Sequence, residues 1–145
     1  MKIKIKAINL AAGLEISREG DMIFLEGHFW KGIRTKRDLP NVLMKLLIGI
    51  KKLAAHFRAQ IIITAKIPAT VLQSGLAQPK KGIFCDKEIS CEIGDEKVWI
   101  RFAKNMVEGE LIRLAYVYFY PPIDNYNLVV VLEDDLMEAL KRILP

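Results

Sequence analysis

Residues 39–57 read LPNVLMKLLIGIKKLAAHF, and this stretch decides how the rest of the chain is read. Val42, Leu43, Leu46, Leu47, Ile50, Leu53, Ala54 and Phe57 recur at helical spacing and share one face. Asn41, Lys45, Lys52 and His56 fall on the opposite stripe. Asp38 stands where a side chain can cap the first turn, and Pro40 is tolerated there because its missing N–H has no intrahelical partner. The pattern predicts one long amphipathic helix, about Leu39–Phe57. Met44 and Ile48 lie beside the polar stripe, so the apolar arc is wider than contact with one sheet requires. A second subunit or a ligand would cover the surplus.

On either side of this segment the period changes to two. Lys2–Ile8 alternates as a strand with its lysines on one face. Leu14–Ser17 and Met22–Glu26 flank Arg18-Glu19-Gly20-Asp21 as a hairpin, and Gly27–Arg37 reads as a loop. Beyond the helix, Gln60–Lys66 is a β-branched strand, and Pro68–Gly82, with two prolines and two glycines, reads as the longest loop. Glu88–Ile93, Lys97–Ala103 and Glu110–Tyr120 form a meander that Pro121-Pro122 ends. Leu128–Leu132 is a short strand leading to a terminal helix at about Leu136–Leu144. Asp135 and Glu138 are spaced there as a capping box, and Lys141 and Arg142 complement the C-terminal dipole. The expected fold is a single α+β domain over residues 1–145. It has a mostly antiparallel sheet packed on one long amphipathic helix and a short C-terminal helix.

The composition fits that reading. An apolar fraction of 52% in 145 residues supports a packed core. The longest apolar runs fall far short of the ~20 residues that span a bilayer. The alternating N-terminus lacks the continuous apolar stretch of a secretory signal, which leads to the expectation of a cytoplasmic protein with no membrane partner. Cys85 and Cys91 match no zinc spacing and no disulfide framework. Cys91, alternating with Ile89 and Ile93, reads as a small buried hydrophobe. Three Ser, three Thr and three Gln against 19 Ile resemble the composition of hyperthermophile proteins.

Charge points to a partner. Residues 1–81 hold 15 Lys/Arg against 5 Asp/Glu, whereas residues 82–145 hold 7 against 12. A basic half beside an acidic half suits a polyanion, or the head-to-tail assembly of an oligomeric scaffold that binds no nucleic acid. Within the basic half, Phe29, Trp30, Lys31, Arg34, Lys36 and Arg37 crowd rings and cations into nine residues. Rings stack on bases while cations neutralise phosphates. Lys45 and Lys52 on the helix extend the same field. A second candidate is Lys97-Val98-Trp99-Ile100-Arg101. Alternation puts Val98 and Ile100 on the core face and Lys97, Trp99 and Arg101 together on the other. Tyr116, Tyr118 and Tyr120 share one face of their strand and serve equally as stacking or as sheet-stabilising residues. His28 and His56 are the two histidines. No DxD or ExxH grouping, phosphate loop or nucleophile elbow accompanies them, so no catalytic residue, metal or cofactor is assigned.

Two resemblances bear on function. Gly27-His28-Phe29 followed by Leu39-Pro40-Asn41-Val42-Leu43 resembles elements of hotdog-fold acyl-carrier-protein dehydratases, a thioester enzyme class. That family places an acid in the helix, and here the corresponding positions are Lys45 and Leu46. The layout of a basic N-terminal part, a small antiparallel sheet and a long helix resembles the archaeal ThermoDBP-related single-stranded DNA-binding proteins. That resemblance implies sequence-tolerant binding of single-stranded DNA, or RNA, by a homo-oligomer. The residues that correspond by type are Trp30, Lys31, Arg34, Lys36, Arg37, Trp99 and Arg101. Together these observations lead to the expectation of a non-enzymatic binder of single-stranded nucleic acid.

Overall fold

Strand periodicity governs far more of the chain than helical periodicity does. The computed structural model describes residues 1–9, 12–30, 60–77, 80–82 and 85–144. The expected helix at 39–57 lies outside the described residues, and with it Lys45 and Lys52. So do Lys31, Arg34, Lys36 and Arg37.

The elements are β1 (Lys2–Lys6), β2 (Ala12–Glu19), β3 (Met22–Trp30), β4 (Gln60–Pro68), α1 (Ala69–Ala77), β5 (Lys80–Gly82), β6 (Cys85–Ile93), β7 (Glu96–Val107), β8 (Glu110–Ile123), β9 (Tyr126–Leu132) and α2 (Glu133–Ile143). They form two antiparallel sheets, one in the order β1-β2-β3-β4 and the other β5-β6-β7-β8-β9. This corrects the expected fold class. The described residues are mostly β, with helices of 9 and 11 residues, and are not one sheet laid on one long helix.

The reason lies in the two apolar faces. Ile16, Ile23, Leu25 and Ile67 from the first sheet meet Val98, Ile100, Phe102, Val117 and Phe119 from the second in one core, each no more than 1% exposed. Each such side chain contributes about 1.5–3 kcal/mol by leaving water. β4 packs across β6, β7 and β8, and β9 across β2 and β3. The apolar face expected to need a helix is therefore covered by a second sheet. Gly27 allows the close approach, because a Cβ there would stand 2.7 Å from Cε2 of Phe119.

The sheets are also joined at one edge. Beyond β1, the Ile8 N–H donates to the Val130 carbonyl at 2.7 Å. Asn9 Nδ2 donates to the Leu128 carbonyl at 2.8 Å, and its Oδ1 accepts from the Val130 N–H at 2.9 Å.

Several local expectations are corrected as well. Gly27–Trp30 completes β3 and is not loop. The segment 68–82 carries α1 and β5. Pro68 closes β4, and Gly75 sits inside α1 because Ile89 of β6 leaves no room for a Cβ, at 2.9 Å. β8 continues through Pro121 and Pro122 to Ile123, and its ladder with β9 is interrupted between Tyr118 and Ile123, where prolines have no N–H to offer. The peptide bond Tyr120–Pro121 is cis.

α2 begins three residues earlier than expected, with Leu132 at its N-cap and no side-chain cap. Its buried Glu133 turns instead to Arg113 of β8, with Lys87 of β6 at 3.9 Å. Leu136, Ala139, Leu140 and Ile143 face the core. Arg18 Nη1 donates to the carbonyls of Ile143 and Leu144 at 3.0 and 2.9 Å, satisfying the last turn. Among the described residues no helix is long and apolar enough to cross a membrane.

Candidate nucleic-acid interface

The outer face of the second sheet gathers the second group of candidate residues. Val98, Ile100 and Phe102 are buried in the core, so alternation turns Lys97, Trp99 and Arg101 outward. Register sets each beside a tyrosine of β8: Lys97 opposite Tyr120, Trp99 opposite Tyr118, and Arg101 opposite Tyr116. The Arg101 guanidinium carbon lies 4.9 Å from the Trp99 ring centroid and the Lys97 ammonium 5.6 Å. Such contacts contribute about 0.5–2 kcal/mol depending on exposure. The Tyr118 ring lies 5.7 Å from the same indole at 40°. Asn105 donates to the Tyr116 hydroxyl at 2.9 Å and fixes that ring.

Tyr120, at 62% exposed, is the most open of the tyrosines on this face. The Trp99 Nε1 is buried and makes no hydrogen bond. On the other side of β7, Glu88 stands opposite Arg101 and Glu92 opposite Lys97, so β6 lines the cations with acids.

The aromatic–basic segment at 29–37 is divided by the fold. Phe29 is 3% exposed, on the core side of β3, with its ring 5.6 Å from that of Tyr126. It offers no face to a base. Trp30, the next residue, points to the outer face of the first sheet and lies 3.8 Å from where a Cβ on Gly13 would stand. Trp30 and Trp99 thus belong to the outer faces of opposite sheets and do not share one surface. Cys91 is half-buried against the core, and burial pushes its thiol above the ordinary value of 9.0.

A constellation that sequence reading passed over lies on the outer face of the first sheet. Glu15 of β2 and Glu26 of β3 are direct cross-strand partners. His28 follows Glu26 by two residues, on the same face. The His28 Nε2 is 3.4 Å from Glu15 Oε2 and 3.7 Å from Glu26 Oε2. That nitrogen is buried and makes no hydrogen bond. The side-chain hydrogen bond with Glu26 holds the Glu15 carboxyl below its ordinary 4.5, helped by the charges of His28, Lys2 and Lys4 and opposed by burial. Lys4, directly opposite Glu15 on β1, reaches its Oε1 at 4.0 Å. The sequence signal was Glu26-Gly27-His28, a pair two residues apart that only a strand brings to one face.

No protein-family model matches this chain, and neither a curated protein nor a solved structure matches it.

Proposed function

We propose that the protein is a non-enzymatic, sequence-tolerant binder of single-stranded DNA, working as a homo-oligomer in the cytoplasm through the outer face of β7 and β8. The observation that carries this reading is the register that lines Lys97, Trp99 and Arg101 against Tyr120, Tyr118 and Tyr116. Cations 4.9 and 5.6 Å from an indole cover it in the free protein and are drawn to phosphates when a strand arrives. Their movement uncovers the ring for a base and the buried Nε1–H for an acceptor. Nothing in the array reads base edges, which is why tolerance of sequence accompanies it. Met106 and Leu111, opposite one another farther along the same hairpin, are 60% and 64% exposed and supply an apolar pair for a second copy.

Fluorescence anisotropy with matched single-stranded and duplex oligonucleotides tests the reading. Preference for the single strand, lost in Trp99→Ala, is expected. Equal affinity for both forms, or a Trp99→Ala variant that folds and binds as wild type, would overturn it. RNA bound as tightly as DNA would move the assignment to single-stranded nucleic acid in general.

A further inference from the structure

The cluster on the first sheet breaks a rule that the rest of the sheet obeys. Like charges directly opposite one another across two strands are destabilising, yet Glu15 and Glu26 form such a pair and are both mostly covered, at 13% and 26% exposed. Lys4 does not repair this. Its side chain is 86% exposed and meets the far oxygen of Glu15 at 4.0 Å, a screened contact of little energy. The near oxygens of both glutamates face His28. Local violations of this kind concentrate where a protein keeps a function.

Their geometry indicates what would relieve the repulsion. Four ligands held tetrahedrally at ~2.0–2.1 Å from a cation stand about 3.3–3.4 Å from one another. The His28 Nε2 lies 3.4 and 3.7 Å from the two carboxylate oxygens, and one donor atom from each of the three residues falls within 4.8 Å of the others. The buried nitrogen directs no hydrogen bond at either oxygen. It therefore contributes a donor atom to the cluster without spending it on a neighbour.

The donor set is also informative. One imidazole nitrogen with two carboxylates suits first-row transition cations, whereas calcium and magnesium prefer oxygen throughout. Three protein ligands leave coordination positions open. A cleft of about 510 Å³, bordered by Gly13, Trp30 and Gln60 with Lys4 and Lys6, opens beside them. Gly13 stands directly opposite His28, and the Trp30 ring, 3.8 Å from where a Gly13 Cβ would be, borders that side of the cleft.

We propose that Glu15, Glu26 and His28 bind one divalent first-row transition cation, of the zinc or cobalt kind, with its remaining positions open to the cleft. The site lies on the other sheet from the candidate nucleic-acid face and does not depend on that reading.

The test uses the full chain freed of metal with a chelator, then titrated with Zn²⁺ by calorimetry and with Co²⁺ by visible absorption. Expected are one cation per chain, a cobalt ligand-field band, and a melting temperature that rises with Zn²⁺. Glu26→Gln and His28→Ala should each cost more than the ~10–100-fold in affinity that loss of an outer-shell partner costs. Glu26→Gln keeps shape and removes repulsion, so its metal-free melting temperature should equal or exceed that of wild type while the zinc-dependent rise disappears. This variant decides the matter should His28→Ala fail to fold. Absence of saturable binding by wild type would overturn the proposal. So would binding that both variants retain, which would place the metal on other side chains.

Discussion

Gly27 is where the two sheets come closest, and adding one methyl there is a direct probe of the sandwich. A Cβ at position 27 would stand 2.7 and 3.1 Å from Cε2 and Cδ2 of Phe119, and 3.0 Å from Cε2 of Phe29. Both rings are buried, at 0% and 3% exposed, so neither can swing into solvent to make room. Over-packing of this kind costs about 1–3 kcal/mol. Position 27 lies outside the positive-φ glycines, so alanine also lowers unfolded-chain entropy, which offsets about 0.4–1 kcal/mol. The net expectation for Gly27→Ala is a loss of about 0–2.6 kcal/mol, read as a lowered urea midpoint at unchanged slope.

Because the closest approach is to the Phe119 ring, Phe119→Leu should relieve most of the clash. The double variant should be more stable than the sum of the single losses by at least ~0.5 kcal/mol. Glu26 and His28 flank this glycine, so the same variant should weaken zinc binding, and Phe119→Leu should restore part of it. Gly27→Ala more stable than wild type, or additive losses in the double variant, would refute the packing of the sheets described here.

On the nucleic-acid face, Trp99→Ala should cost about 1–3 kcal/mol of binding to a single strand with little change in salt dependence, since no counterion leaves a ring. Lys97→Ala should instead lower the slope of log K against log salt by about 0.7, measured by anisotropy across a salt series. The lowered pKa of Glu15 has a definite sign. It stabilises the fold above its ordinary value of 4.5, and that stability is lost as pH falls through the lower folded value. Urea midpoints taken from pH 6 downward should show this loss in metal-free wild type and less of it in Glu15→Gln. Arg113→Ala strands the buried Glu133 with Lys87 as its remaining cation in this cluster, and because the arginine is itself 45% exposed the cost should be about 1–3 kcal/mol, measured by denaturation.

Strand-level structure was legible wherever one face was apolar and the other was not. Lys2–Lys6, the β2–β3 hairpin and the β6–β8 meander follow directly from alternation, which also placed Trp99 between two cations. Alternation says that a face is covered and leaves open what covers it. A helix of 19 residues was the visible candidate in the sequence, yet β2 and β3 pack across the distant β9, and Gly27 of β3 meets Phe119 of β8. Phe29 and Trp30 show the same limit at one step. Gly27 and the cations that follow Trp30 have loop composition, which hides the alternation that buries Phe29 and turns Trp30 outward.

The Glu15, Glu26 and His28 cluster was missed for a related reason. An acid and a histidine at helical spacing stand out in a sequence, whereas Glu26 and His28 are two apart and Glu15 joins them across a strand pair whose register the sequence alone does not fix. Gly75 likewise marked its segment as loop, when its missing side chain accommodates Ile89 against a helix.

The clasp between Asn9 and β9 bears on how the molecule is made. Asn9 and Val130 are 121 residues apart. At ~5–20 residues per second, the ribosome delivers the second about 6–24 s after the first. Throughout that interval the edge of β1 has no β9 to close against, and β2 and β3 lack the strand that packs across them. The last strand to emerge is the one that seals the first. Closure of the sandwich is therefore a late and long-range event, and a nascent chain halted before Leu128 would expose both an open edge and a core lacking Val129, Val131 and the buried face of α2 to its neighbours.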